Sequence, residues 1–141
     1  MRSFKWTKAH AAFIPEIDAE HRNLYRIGEE LHEALVSGAT ASLLVEKFRA
    51  LAAAAEEHFT YEERLMRSSH YASMAWHKHQ HDTYRKRIAQ FLPQIEAGDT
   101  QACILLLDFT SDWFRDHTGL TDRMLGAFLR NWGRLQARAA S

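Results

Sequence analysis

The chain has a single cysteine, Cys103, among its 141 residues, so no internal disulfide can form, and the lone thiol fits a reducing compartment. It has little of the two residues that interrupt helices, with two prolines and six glycines. Net charge is absent: 18 basic residues balance 18 acidic ones, so the chain as a whole carries no electrostatic footprint for nucleic acid or acidic membranes. No stretch approaches the ~20 consecutive apolar residues that span a bilayer, and the opening MRSFKWTKAH has no apolar run of the signal-peptide kind. These absences point to one helical domain over residues 1–141, with no membrane insertion and a cytoplasmic location as the expectation.

Histidine, by contrast, is abundant: there are nine. The stretch HFTYEERLMRSSHYASMAWHKHQH, residues 58–81, holds two pairs at a spacing of four, His58 with Glu62 and His77 with His81. Four residues is just over one helical turn, so each pair shares a helix face. Two antiparallel helices would aim three imidazoles and a carboxylate at one point. That donor set suits zinc, iron, manganese or copper.

The apolar periodicity predicts an all-α, up-down-up-down four-helix bundle with an N-terminal extended arm. The arm covers residues 1–17, with Pro15 keeping Ile14 out of helix. The helices span about 18–37, 40–67, 71–97 and 100–132. Asp18, Thr40 or Ser42, and Asp99 or Thr100 are the N-cap candidates, and Gly38 and Gly98 are the stops. Pro93 should kink the third helix or end its regular part. The Ala/Arg-rich tail from about Arg134 is expected to fray.

Each apolar stripe carries a polar residue of metal-ligand type. His21 lies on the first, His58 and Glu62 on the second, His77 and His81 on the third, and His117 on the fourth, with Asp122 five residues further. A lone histidine on such a stripe is ordinarily a hydrogen-bonded core side chain. Seven ligand-type residues spread over four helices would leave several buried polar groups in need of partners. Five imidazoles and two carboxylates also exceed a four-ligand site and argue for two metals, with the carboxylates available as bridges.

These residues resemble the hemerythrin family in its single-domain bacterial form. The matching segments are IDAEHRNL (17–24), HFTYEERLM (58–66), Tyr71 followed by HKHQH (77–81), and WFRDHTGLTD (113–122), with Trp6 in the arm. The resemblance implies two non-haem iron ions with an oxo or hydroxo bridge. His77, His81 and His117 would hold one iron, His21 and His58 the other, and Glu62 and Asp122 would bridge them. It implies dioxygen as ligand, bound reversibly at the two-histidine iron, with Leu24, Phe59, Trp113, Phe114 and Thr118 lining or bordering the oxygen pocket. The implied role is oxygen storage, carriage or delivery, with a protein partner for delivery. Sensing of oxygen or nitric oxide through a partner is one alternative, and a di-iron peroxidase or nitric-oxide reductase is another. No flavin or nicotinamide motif and no CxxC pair accompanies the site, which leans against an enzyme.

Three positions depart from the family pattern. Thr118 stands in place of the usual isoleucine, Ala72 in place of a proline, and Glu20 in place of a glutamine. His10, His32, His70 and His79 match no family role and are expected to be structural or to face outward.

The spacing from His117 to Asp122 conflicts with a regular helix. Five residues at about 100° each leave the two side chains about 140° apart. A π-type turn, a break in the helix or a long carboxylate reach would reconcile them. The expectation is a π-turn or local widening near Gly119, with the Thr118 or Thr121 hydroxyl near a displaced carbonyl.

Overall fold

A computed structural model describes residues 4–140, so the first three residues of the expected arm lie outside the described part. A short 3-10 turn, Lys8–His10, precedes α1 (Pro15–Val36), α2 (Ala41–Ser68), α3 (Met74–Glu96) and α4 (Thr100–Asp116). A π-helical turn, His117–Thr121, joins α4 to α5 (Asp122–Ala140) and makes them one rod. Among the described residues every regular element is helical. α1 packs on α2, α2 on α3, α3 on α4, and α4 back on α1, which closes a four-helix bundle.

The short connections follow from three similar helix ends. Gly38 (φ +74°) and Gly98 (φ +93°) take the left-handed conformation past α1 and α3. The following amides reach back to orphan carbonyls, Ala39 to Ala34 and Asp99 to Gln94. His70 fills the same position past α2 with φ +57°, and Tyr71 donates to Met66. A histidine there gives no glycine signal in the sequence, and the third helix begins at Met74 rather than at the expected 71. Thr40 caps α2 through Leu43 N–H, and Asp99 caps α4 through Ala102 N–H.

Other boundaries also differ from expectation. α1 starts at Pro15, not Asp18, because proline fits the first helical position, where no amide partner is required. Asp18 instead accepts the backbone N–H groups of Ala12 (2.7 Å) and Phe13 (3.1 Å) and so ties the arm to α1. Pro93 lies inside α3, whose helical run continues to Glu96. α5 stays helical through Ala140, beyond the expected end near 132 and through the segment expected to fray.

The core runs the length of the bundle and includes Leu31, Phe48, Leu51, Phe59, Tyr84, Leu106 and Phe114. The arm completes it. Phe4 is 1% exposed and packs edge-on against Tyr25 and Phe114. Arg123 donates to the carbonyls of Ala11 and Lys8, and Arg130 to that of Ala12, so α5 holds the arm by its backbone.

Gly126 marks the close approach. A Cβ there would collide with the Ala12 carbonyl oxygen, and backbone cannot swing aside as a flexible side chain does. Gly126→Ala is therefore expected to destabilise the protein by about 1–3 kcal/mol, the range for overpacking. Gly133 has open space around it, and Gly133→Ala should be neutral or stabilising by up to ~1 kcal/mol through helix propensity. Urea unfolding of the two variants beside the parent checks both signs, and equal midpoints for the pair would refute the arm contact.

Candidate metal centre

All seven sequence-selected residues converge toward the end of the bundle where α1 begins and α2 gives way to α3. His21 comes from α1, His58 and Glu62 from α2, His77 and His81 from α3, His117 from the π-turn, and Asp122 from the start of α5. All are buried, and Glu62, His77, His81 and Asp122 are 0% exposed. Their donor atoms form two groups that share both carboxylates. One is Glu62, His77, His81, His117 and Asp122; the other is His21, His58, Glu62 and Asp122.

The π-turn is what brings Asp122 in. Its amide donates to the carbonyl of His117, five residues back, so the widened turn rotates a five-residue spacing onto one face. Thr118 donates its hydroxyl to the Phe114 carbonyl (2.6 Å). That leaves the Thr118 oxygen to accept from the Tyr25 hydroxyl (3.0 Å). Burial pushes the Tyr25 hydroxyl up to about 12, so it stays a donor.

The two carboxylates each divide their oxygens between the groups. Glu62 Oε1 lies 3.2 Å from His77 Nε2 and 3.1 Å from His81 Nε2. Its Oε2 lies 3.2 Å from His58 Nε2 and 3.7 Å from His21 Nε2. Asp122 Oδ1 lies 3.0 Å from His77 Nε2 and 3.1 Å from His117 Nε2, while Oδ2 lies 2.8 Å from His21 Nε2. Glu62 Oε2 and both Asp122 oxygens nevertheless lack a well-directed hydrogen bond.

Nitrogen also faces nitrogen: His21 and His58 approach at 3.0 Å and His81 and His117 at 3.2 Å, all through Nε2. Donor atoms about 3 Å apart are what neighbouring ligands at about 2.1 Å from a common ion subtend. Orphaned buried carboxylate oxygens beside converging imidazole nitrogens fit a pair of cations.

Three imidazoles are held from behind. His58 Nδ1 donates to Glu20 (2.6 Å), His81 Nδ1 to Glu63 (2.8 Å), and His117 Nδ1 to Gln80 (2.9 Å). With the proton on Nδ1, the Nε2 lone pair points inward. Gln80 also accepts from Thr121 Oγ1, which ties the π-turn to α3. Arg85 bonds Glu63 and holds that carboxylate in place.

Glu20 was legible as a departure from the family pattern; Glu63, Gln80 and Tyr25 were not singled out. Glu20, Glu63 and Gln80 each adjoin a ligand in sequence, which is the signal that could have found them. A neighbour sits about 100° off its own stripe, and here it reaches the ligand of the next helix.

The aromatic residues occupy distinct places. Phe59 stacks on His81 (4.2 Å between ring centroids), and Trp113 stacks on His117 (4.2 Å). Phe114 packs against Phe4, Tyr25 and Tyr84. Leu24 borders a surface cleft with His58, Glu20, Asn23 and Glu57 between α1 and α2. Of the remaining histidines, His10 packs on Tyr25 and bonds the Thr7 amide, while His70 and His79 are exposed.

Such a site, two metal positions inside four antiparallel helices with shared carboxylates, defines a di-metal helical-bundle protein. The Hemerythrin HHE cation binding domain matches residues 12–129, and the chain belongs to the hemerythrin family. It is 29% identical to the bacteriohemerythrin of Clostridium acetobutylicum over 128 residues, covering 85% of this chain and 96% of that one. It is 24% identical to the myohemerythrin of Theromyzon tessulatum, with 84% and 88% covered. A solved hemerythrin carrying a leucine-to-alanine substitution superposes with a TM-score of 0.81 at 25% identity, over 92% of this chain and 98% of that chain. The protein is a di-iron, dioxygen-binding hemerythrin.

The electrostatics of the metal-free protein follow from this crowding. Burial alone would lower the His58 pKa from 6.5, but Glu62 beside it and Glu20 behind it raise it to about 10. Burial likewise opposes His77, yet Asp122 and Glu62 lift it to about 9. Burial would raise Glu62 and Asp122, but the surrounding imidazoles hold both well below the usual carboxylate range.

The raised imidazoles stabilise the metal-free fold fully below pH 6.5, and that contribution is lost as pH rises through about 9 to 10. The lowered carboxylates contribute above their ordinary values and fail only in acid. The thermal midpoint of metal-free protein is therefore expected to fall between pH 6.5 and pH 10, while the gain on adding ferrous iron grows. A metal-free midpoint that climbs over that range would contradict this assignment.

Proposed function

We propose that this chain binds dioxygen reversibly, for storage, carriage or delivery, at the iron held by His21 and His58. The observation that carries the reading is the unequal division of donors. The donor group with three histidines has five members and the one with two has four, and one donor fewer would leave a metal on the two-histidine side room for a small ligand. A ferrous pair held by these residues would supply two electrons, one from each iron, to a bound dioxygen.

The protein's own contribution is positional. Glu62 and Asp122 belong to both donor groups and would hold two ions close enough to act together. Glu20 keeps the His58 lone pair inward, and Glu63 and Gln80 do the same for His81 and His117. Phe59 and Trp113 cover the rings of His81 and His117, and buried Leu24 and Phe114 add apolar wall. Excluding water and anions limits escape of reduced oxygen and irreversible oxidation of the metals. Thr118 departs from the family pattern by placing a hydroxyl where the usual residue is isoleucine. Its hydroxyl proton is committed to the Phe114 carbonyl, and its oxygen to Tyr25, so it offers the ligand no ready donor.

Iron-replete protein is expected to bind about two irons per chain through these seven residues. Anaerobic reduction followed by air should raise a visible ligand-to-iron absorption band that disappears on deoxygenation and returns over repeated cycles. One tightly bound zinc without iron would overturn the metal assignment, and rapid irreversible loss of the band would overturn the carrier role in favour of sensing or catalysis.

Bridging and terminal ligands should also separate by mutation. Glu62→Ala removes a contact to both ions, whereas His21→Ala removes a contact to one. The expected outcome is loss of the coupled pair in the first variant and partial retention in the second, read from iron stoichiometry and magnetic coupling. Equal retention in both would contradict the bridging role of Glu62.

A further inference from the structure

α5 continues well past the site it helps to build. Its buried residues are Asp122, Leu125 and Gly126, and none of those beyond Gly126 is fully buried although the helix runs to Ala140. Helical segments in water ordinarily draw their stability from packing an amphipathic face.

This segment is strongly two-faced. With 100° per residue, Phe128, Leu129, Trp132 and Leu135 fall within an arc of about 120°. Arg130, Arg134 and Arg138 fall on another arc centred about 160° away. Phe128 leans on Tyr71 at 4.8 Å between ring centroids, so the near end of the apolar face is anchored to the bundle. The far end is open: Leu135 is 53% exposed, and Trp132 is only partly covered. After Asp122 the sequence has no acidic residue and four arginines. The zero net charge of the whole chain conceals this segregation.

We propose that the distal half of α5 docks on an anionic lipid surface, laying Trp132 and Leu135 into the headgroup boundary. The combination of an apolar face that includes tryptophan with a polar face whose charged residues are all arginine is that of an interfacial helix. Charge complementarity selects the occupant. A second copy has no acid after Asp122, so its distal α5 offers these arginines no counter-charge. An anionic bilayer gives the arginines a negative field and the aromatic face a partly apolar depth. No helix among the described residues is long and apolar enough to cross a membrane, so this contact is peripheral. The site lies in the bundle, so docking leaves the metal centre unaltered.

The test is flotation of the full iron-loaded chain with vesicles of phosphatidylcholine alone or with about a third phosphatidylglycerol. Binding is expected with the anionic vesicles only, and release is expected at about 0.5 M salt, where screening is strong. Trp132→Gln with Leu135→Gln, and separately Arg134→Gln with Arg138→Gln, should each weaken binding by about tenfold or more while the iron absorption spectrum stays unchanged. Flotation no better with anionic than with neutral vesicles, or unaltered binding by both variants, would overturn the proposal. A dimer in lipid-free solution that Trp132→Gln with Leu135→Gln abolishes would assign the face to a second copy and overturn it as well.

Discussion

Two carboxylates side by side in a dry core are the constraint on which the rest of this structure depends. Glu62 and Asp122 are each 0% exposed. An ionised carboxylate taken out of water without compensation costs several kcal/mol, and a domain of this size has a net stability of about 5–15 kcal/mol. Two such groups, repelling one another, would consume most of that margin. The five imidazoles around them answer that cost. In the metal-free protein His21, His58 and His77 draw protons into the core, and in the loaded protein two cations take the protons' place. Folding and metal binding are therefore coupled through the same seven side chains.

The ligands are held in place by a relay between helices. Glu20 on α1 bonds His58 on α2, Glu63 on α2 bonds His81 on α3, and Gln80 on α3 bonds His117 in the π-turn. Each of α1, α2 and α3 thus orients a ligand on the next element around the bundle. The Thr121 bond to Gln80 adds the π-turn itself to the relay. Flat aromatic stacking on His81 and His117 fixes the ring planes from the other side. An iron site built this way needs little rearrangement when a ligand arrives, because helix packing has already aimed the donors.

The seven residues that converge in the core were legible in the sequence because they interrupt apolar stripes at helical spacing. The π-turn was legible for the opposite reason: His117 and Asp122 could not share a regular α-helical face, and the structure resolves the conflict with one widened turn. The supporting residues were harder to see. Glu63 and Gln80 lie off the stripes, and their partners are on other helices, so nothing in local periodicity marks them. The boundary differences have similar causes. Asp18 has the composition of a cap but spends its carboxylate on the arm, and His70 adopts a glycine-like conformation without being glycine. The persistence of α5 past its last buried contact was hidden by the alanine- and arginine-rich composition of a tail.

The central claim is an iron pair with unequal terminal ligands and shared carboxylates. Mössbauer spectroscopy of oxidised protein loaded with the isotopically enriched metal, in zero and strong applied field, addresses it most directly. The account predicts two distinct high-spin ferric environments in equal amounts, coupled through the bridges to a diamagnetic ground state. A single uncoupled, paramagnetic iron species at full occupancy would contradict it.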